Sequence, residues 1–330
     1  MRFSQSKGRF SRNLLAAAIL TPTLVLTGCF FDDDDDDKPG SGGGSTSSSA
    51  GLAYDGYLIG ATVCIDLNLN KTCDASEPSS TTDADGNFNI TGLTATQAKY
   101  PLVLESNAST TDSDNPGVPI GAGLKFLAPA GSKTVSAYST IIQAKIQAKL
   151  AGGDTRTLAQ LKAEAATELS TTLGLTGVDL TDYDPIATKT GSGAEADKIT
   201  AAKIHLMNQI LSNELLNRLP TIITQAQGAG VTPGAAASLL AEKLESVIAT
   251  IKSEVDTATS GLADAAAISA LDETSVSISV LPITVLDSEL VLQQGKEDAA
   301  NEAIEDELGD AGDGGSTGGT GATGGSGGVI

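Results

Sequence analysis

Beyond residue 31, aromatic side chains crowd into one stretch: Tyr54, Tyr57, Phe88, Tyr100, Phe126 and Tyr138 precede Ser139, and after it Tyr183 stands alone. A region that fills its interior with rings packs differently from one filled with alanine and leucine, so two parts with different cores are expected. The aromatic part, residues 52–132, carries strand signals. Residues 57–65, 87–90, 101–105 and 124–127 are rich in β-branched and apolar side chains, and clusters of Gly, Asp, Asn and Pro separate them. Asp83-Ala84-Asp85-Gly86-Asn87-Phe88 reads as a turn feeding a strand, with Gly86 supplying the positive φ of a tight turn. A small β-sandwich is expected here.

Residues 133–294 read as helical. Tyr138, Ile142, Ile146 and Leu150 lie four apart and stop at Gly152-Gly153, while Leu158, Leu161, Ala165 and Leu169 follow the capping-box pair Thr157 and Gln160. Ile204, Met207, Leu211 and Leu215 make a third stripe. Leu240, Leu244, Ile248, Ile251 and Val255 make a fourth, opened by Thr232 as cap and Pro233 in the first turn. The alternation of Val276, Ile278 and Val280, then Ile283 and Val285, predicts a late strand that either returns to the sandwich or pairs within the helical part. Residues 295–330 turn acidic and then Gly-rich, a composition expected to stay disordered. The fold class is therefore α+β, a small N-terminal β-sandwich followed by an alanine-rich helical bundle.

The first residues supply an address. Arg2, Lys7, Arg9 and Arg12 form a positive leader without acids, and the apolar run from Leu14 to Leu26 is short and interrupted by Thr21, Pro22 and Thr23, so it reads as an export signal instead of a permanent span. Leu26-Thr27-Gly28-Cys29 resembles the lipobox of bacterial lipoproteins, in which the cysteine is acylated on sulfur and left as the first residue after cleavage. The resemblance implies a signal peptide over 1–28 and covalent lipid on Cys29; the alternative is an ordinary signal peptide followed by a chance cysteine. Phe30, in place of an aspartate, after the lipidated residue implies an outer-membrane lipoprotein.

Residues 29–51 contain Asp32 to Asp37 and then a Gly/Ser stretch, which reads as a flexible tether. The aspartates are taken as a solvated spacer, ahead of a weak calcium site or a sorting label. The chain carries a net charge of −21, four units more negative without the basic residues of the leader. Such a surface repels nucleic acid and anionic lipid headgroups and attracts divalent cations. The expected partners are the membrane, through the lipid, and a protein or surface.

With Cys29 lipidated, Cys64 and Cys73 remain, a pair in an oxidising compartment where a disulfide persists. Starting between them, Asp66, Asn68, Asn70, Asp74 and Glu77 occupy positions 1, 3, 5, 9 and 12 of a loop, with the Thr72 carbonyl at position 7, the spacing by which an EF-hand loop wraps a hard cation. Calcium suits this flexible oxygen set better than magnesium. Lys71 departs from the pattern, because the turn there usually takes glycine and a left-handed lysine costs about 1 kcal/mol. The alternative is an Asn/Asp-rich turn without metal.

Asp66-x-Asn68-x-Asn70, then Asp74-x-x-Glu77-Pro78, then Thr82 to Phe88 together resemble the calcium loop and hairpin of SdrD B-like and carboxypeptidase-regulatory-like modules, prealbumin-type β-sandwiches of bacterial surface proteins. The likeness covers residues 52–105 and implies a stalk, spacer or adhesin part, with nothing implied for the helical half. A dockerin would repeat the loop, and a true EF-hand would flank it with helices.

Catalysis finds little support in the residues. His205 is the single histidine, expected to be structural or solvent-facing, and no phosphate loop, dinucleotide fingerprint or nucleophile elbow is present. Asp179, Asp182, Asp184 and Pro185 read as a loop between helices. The expectation is a non-enzymatic, lipid-anchored envelope protein, surface-exposed and structural or adhesive, with a calcium-stabilised β-module. The alternative is a periplasm-facing lipoprotein whose helical bundle holds a ligand or partner, and a carboxylate-based hydrolase is a distant third.

Overall fold

The computed structural model describes residues 46–309; the leader, Cys29, most of the tether and residues 310–330 lie outside them. The strands come first: β1 (Ser47–Ala53), β2 (Leu58–Ile59), β3 (Thr62–Ile65), β4 (Ser79–Thr81), β5 (Asn87–Leu93), β6 (Leu102–Glu105), β7 (Thr111–Asp112), β8 (Asn115–Pro119), β9 (Lys125–Ala128) and β10 (Thr134–Val135). The helices follow: α1 (Ala137–Ala151), α2 (Leu158–Thr172), α3 (Pro185–Thr190), α4 (Glu195–Gly228), α5 (Pro233–Thr259), α6 (Ala265–Ser269) and α7 (Asp287–Leu308). The class is α+β, with an N-terminal sheet region.

The strands form three sheets, ordered β4-β3-β6-β9, β10-β1-β5 and β2-β7-β8. In the first, all pairs are antiparallel, and the register Val63↔Leu104↔Phe126 sets three apolar side chains on one face. Their neighbours Cys64, Val103 and Leu127 line the other face, against Cys73. Both faces are buried, so these strands read as continuous apolar runs and were legible as such.

β1 lies in the stretch expected to be tether. It pairs antiparallel with β5 along most of its length and parallel with β10 at Leu52 and Ala53. Backbone pairing, with small side chains allowing close approach, makes this strand without an apolar pattern. Gly51 is the extreme case, since a Cβ there would sit 2.6 Å from the Lys133 carbonyl oxygen. Gly86 takes φ +75° in the turn before β5, as its sequence context suggests.

α1 joins the layers. Its N-terminus carries a reciprocal Ser136/Ser139 capping box, and the adjoining hydroxyls reach into the sheet, where Ser139 Oγ donates to the Leu127 carbonyl at 2.7 Å and Thr140 Oγ1 accepts from the Leu127 amide at 2.9 Å. Tyr138 on the same turn donates to the Ile204 carbonyl of α4 at 2.8 Å. Strands and helices consequently share one main apolar core, from Ala53 to Ile304, in place of the two separate cores expected from composition. The capping box at Thr157 and Gln160 is present, Thr232 caps α5 with Pro233 in its first turn, and Asp184 caps the short α3.

Two expectations for the C-terminal part are corrected. Residues 276–286 form no strand: Val276 and Val285 are buried and Ile278, Val280 and Ile283 half-buried, so the alternation is met by laying one side of an extended segment on the core. Its backbone bonds to a side chain, with the Ser279 amide donating to Glu254 Oε2 of α5 at 3.0 Å. Residues 295–308 are not disordered but complete α7. That helix buries Leu290, Gln293, Glu297, Ala300 and Ile304, a 3-4-3-4 spacing whose second and third members are polar and so hide the stripe.

Gly51→Val is expected to destabilise the protein by about 2 kcal/mol or more, because the added branch meets backbone that is held on both sides. Gly228→Ala, at the open end of α4, should instead stabilise by about 0.4–1 kcal/mol. Urea denaturation of the two variants checks the contrast.

Candidate metal centre and its buried anchor

The loop from Asp66 to Glu77 leaves the end of β3 and returns towards β4, and the Cys64–Cys73 disulfide ties its middle to that strand, with Cα atoms 5.6 Å apart. Leu69 and Lys71 both adopt left-handed φ, 56° and 59°, which curls the chain around its own centre. The side chains follow the curl. Asp66 Oδ1 accepts from the Asn70 amide at 3.0 Å and Oδ2 from the Lys71 amide at 2.9 Å. Glu77 closes the far side, Oε1 accepting from the Leu67 amide at 2.8 Å and Oε2 from the Asp74 amide at 3.0 Å. Asn68 and Asn70 each donate through Nδ2 to Asp74 Oδ2 at 2.8 Å, which brings positions 3, 5 and 9 onto one oxygen. The Thr72 amide donates to Asn70 Oδ1 at 2.7 Å, continuing the winding.

Positions 3, 5 and 9 thus meet at Asp74, while positions 1 and 12 are bound to backbone amides of the loop. Among the described residues no group of three acidic, histidine or cysteine side chains is placed to hold an ion. The two carboxylates at the ends of the loop share a displacement. Asp66 is 1 % exposed, and burial pushes its carboxyl up to about 6 despite the amides that it accepts from. Glu77 is displaced upwards too, again chiefly by burial.

Lys71 has a reason to be where glycine is usual. Its side chain leaves the loop, runs into the core and contacts Glu297 of α7, both being almost fully buried. Desolvation draws the Lys71 ammonium down to about 7, with Asp66 pulling the other way, and the touching Glu297 carboxylate also favours the charged form. Ser238 of α5 donates to Glu297 Oε2 at 3.0 Å or to Gln147 Oε1 of α1 at 3.1 Å. Asn301, one turn beyond Glu297, donates through Nδ2 to the Leu69 carbonyl at 3.3 Å. The loop is thereby docked on α7, which Ser238 ties in turn to α5 and towards α1. On its outer side Lys125 of β9 bonds Glu105 at 2.8 Å and reaches Thr72 Oγ1 at 3.1 Å.

Glu297, Ser238 and Asn301 were missed by sequence reasoning; the 3-4-3-4 spacing in α7 was a signal that could have found Glu297. Of the other residues singled out, His205 is buried in α4. Its Nδ1 stands 2.6 Å from Lys189 Nζ, which can only donate, so Nε2 carries a proton towards Asp114 Oδ2 at 3.1 Å. That makes it a cross-link between α3, α4 and the turn after β7, in keeping with a structural role. Asp184 binds the first amides of α3 and accepts from the Tyr57 hydroxyl at 3.0 Å, and Asp179 binds Thr181. Cys29 lies outside the described residues. The chain matches no family model, no curated protein and no solved structure.

Removing one member of the buried pair strands the other. Glu297→Ala and Lys71→Ala should each cost about 3–5 kcal/mol, and Lys71→Met combined with Glu297→Leu should recover most of the loss. Lys71→Gly relieves the backbone yet leaves Glu297 alone, so it should destabilise as well. Thermal melts of the single and paired variants give the comparison.

Proposed function

We propose that this is a lipid-anchored, surface-exposed protein of the outer membrane, non-enzymatic, whose β-region is stabilised by calcium and which serves a structural or adhesive role towards a protein or surface partner. The observation that carries the calcium reading is the spacing of oxygen side chains at positions 1, 3, 5, 9 and 12, with positions 3, 5 and 9 meeting at Asp74 Oδ2. Asp66, Asn68, Asn70, Thr72, Asp74 and Glu77 would ligate the ion, and the disulfide at Cys64 and Cys73 braces the loop. The anchor reading rests on the leader and on Cys29 in its lipobox-like context. Among the described residues no helix is long and apolar enough to cross a membrane.

Calcium binding to the folded loop and not to the unfolded chain raises the melting temperature by mass action; a hundredfold excess over Kd adds about 2.7 kcal/mol. The rise should be seen when chelated protein is titrated with calcium, should be much smaller with magnesium, and should disappear in Asp66→Ala and Glu77→Ala. An unchanged melting curve overturns the metal assignment.

The anchor is tested separately. Cys29→Ser should move the protein from the membrane fraction to the soluble one and abolish palmitate labelling. Retention of the variant in membranes, together with no labelling of the wild type, argues against it.

A further inference from the structure

A second feature is a cavity of about 540 Å³ between α1, α2, the last turn of α7 and the turn at residues 129–131, lined by none of the calcium-loop residues. Its size falls within the range of small-molecule pockets, roughly 300–1,000 Å³. Pro101, Pro129, Ile146, Leu158 and Ile304 make apolar walls. The polar groups among them are few and their states differ by sign.

The acids are occupied. Glu307 accepts from the Leu158 amide, at 3.1 and 2.9 Å through its two oxygens, and so caps the N-terminus of α2. Asp179 accepts the amide and hydroxyl of Thr181 at 2.9 and 2.8 Å. The donors are not. Gln143 of α1 is only 4 % exposed, lines the cavity and has no hydrogen-bond partner among the described residues. Its amide is reached by solvent in the cavity, so a ligand oxygen would take the place of water there. Lys162 of α2 gives its ammonium to one neutral acceptor, the Ala130 carbonyl at 3.1 Å, and forms no ion pair there; Asp179 and Asp182 act on it from further off. Burial lowers its proton affinity, as expected for a cation short of a counterion. Lys99 adds a second positive charge to the wall.

We propose that this cavity binds a small amphipathic molecule with an apolar body and a single carboxylate, the carboxylate meeting Lys162 and Gln143 and the body lying along the apolar walls. A dianion would be disfavoured by the nearby Asp179 and Glu307, and an amine would be opposed by Lys162 and Lys99. The site shares none of the calcium ligands, so its occupancy should be the same with calcium and with chelator.

The test uses the full chain and three eight-carbon probes, octanoate, octanol and octylamine, followed by calorimetry or by shifts in NMR spectra. Octanoate should bind about tenfold or more tightly than octanol, with octylamine weakest, the difference being that of one charge-assisted hydrogen bond. Lys162→Met keeps the aliphatic stem and should bring octanoate to the level of octanol without changing octanol. Ala159→Trp, on an exposed position of α2 that lines the cavity, should block both probes while leaving the melt intact. Absence of octanoate binding, equal affinity for octanoate and octanol, or binding that survives Ala159→Trp overturns the assignment.

Discussion

The contact between Lys71 and Glu297 is the constraint around which the rest is arranged. A buried ion pair stabilises little on its own account, because desolvating two charges consumes most of their attraction. Its effect is selective. One conformation of the loop delivers the Lys71 ammonium and one register of α7 delivers the Glu297 carboxylate, while Ser238 and Gln147 complete the polar path towards α5 and α1. A slip of α7 by one residue would bury a carboxylate against apolar neighbours. The pair therefore links the state of the loop to the seating of the last helix.

The main lines of the fold were legible because they rest on side-chain periodicity. The strands around Val63, Val103 and Phe126 and the helices carrying Ile142, Leu161, Leu211 and Leu244 announce themselves by apolar spacing. The parts that were not legible rest on something else. β1 is made by backbone pairing among Ser, Ala and Gly residues, which no hydropathy pattern records. α7 buries Gln293 and Glu297, so its inner stripe looks like an exposed face until their partners are known. The segment around Val276 to Val285 has the alternation of a strand without a neighbour to pair with.

The candidate metal centre shows the same division. Spacing singled out Asp66, Asn68, Asn70, Asp74 and Glu77, of which Asn68, Asn70 and Asp74 are joined by side-chain hydrogen bonds, and parity of cysteines singled out Cys64 and Cys73, which are bonded. Lys71 looked like a defect because its use is visible only across more than two hundred residues of intervening chain. A residue that breaks a local rule at a cost of about 1 kcal/mol was compensated by a distant contact, as local conflicts in native chains commonly are.

The position of β1 has a mechanical consequence. It is the first strand of the described chain and the central one of its sheet, bonded to β5 on one side and β10 on the other. A pulling force entering from the N-terminal side reaches Ser47 before any other element. Directed along the strand, that load falls on both ladders in shear, with their hydrogen bonds strained together instead of being peeled one at a time, and the sheet resists extraction as a rivet does.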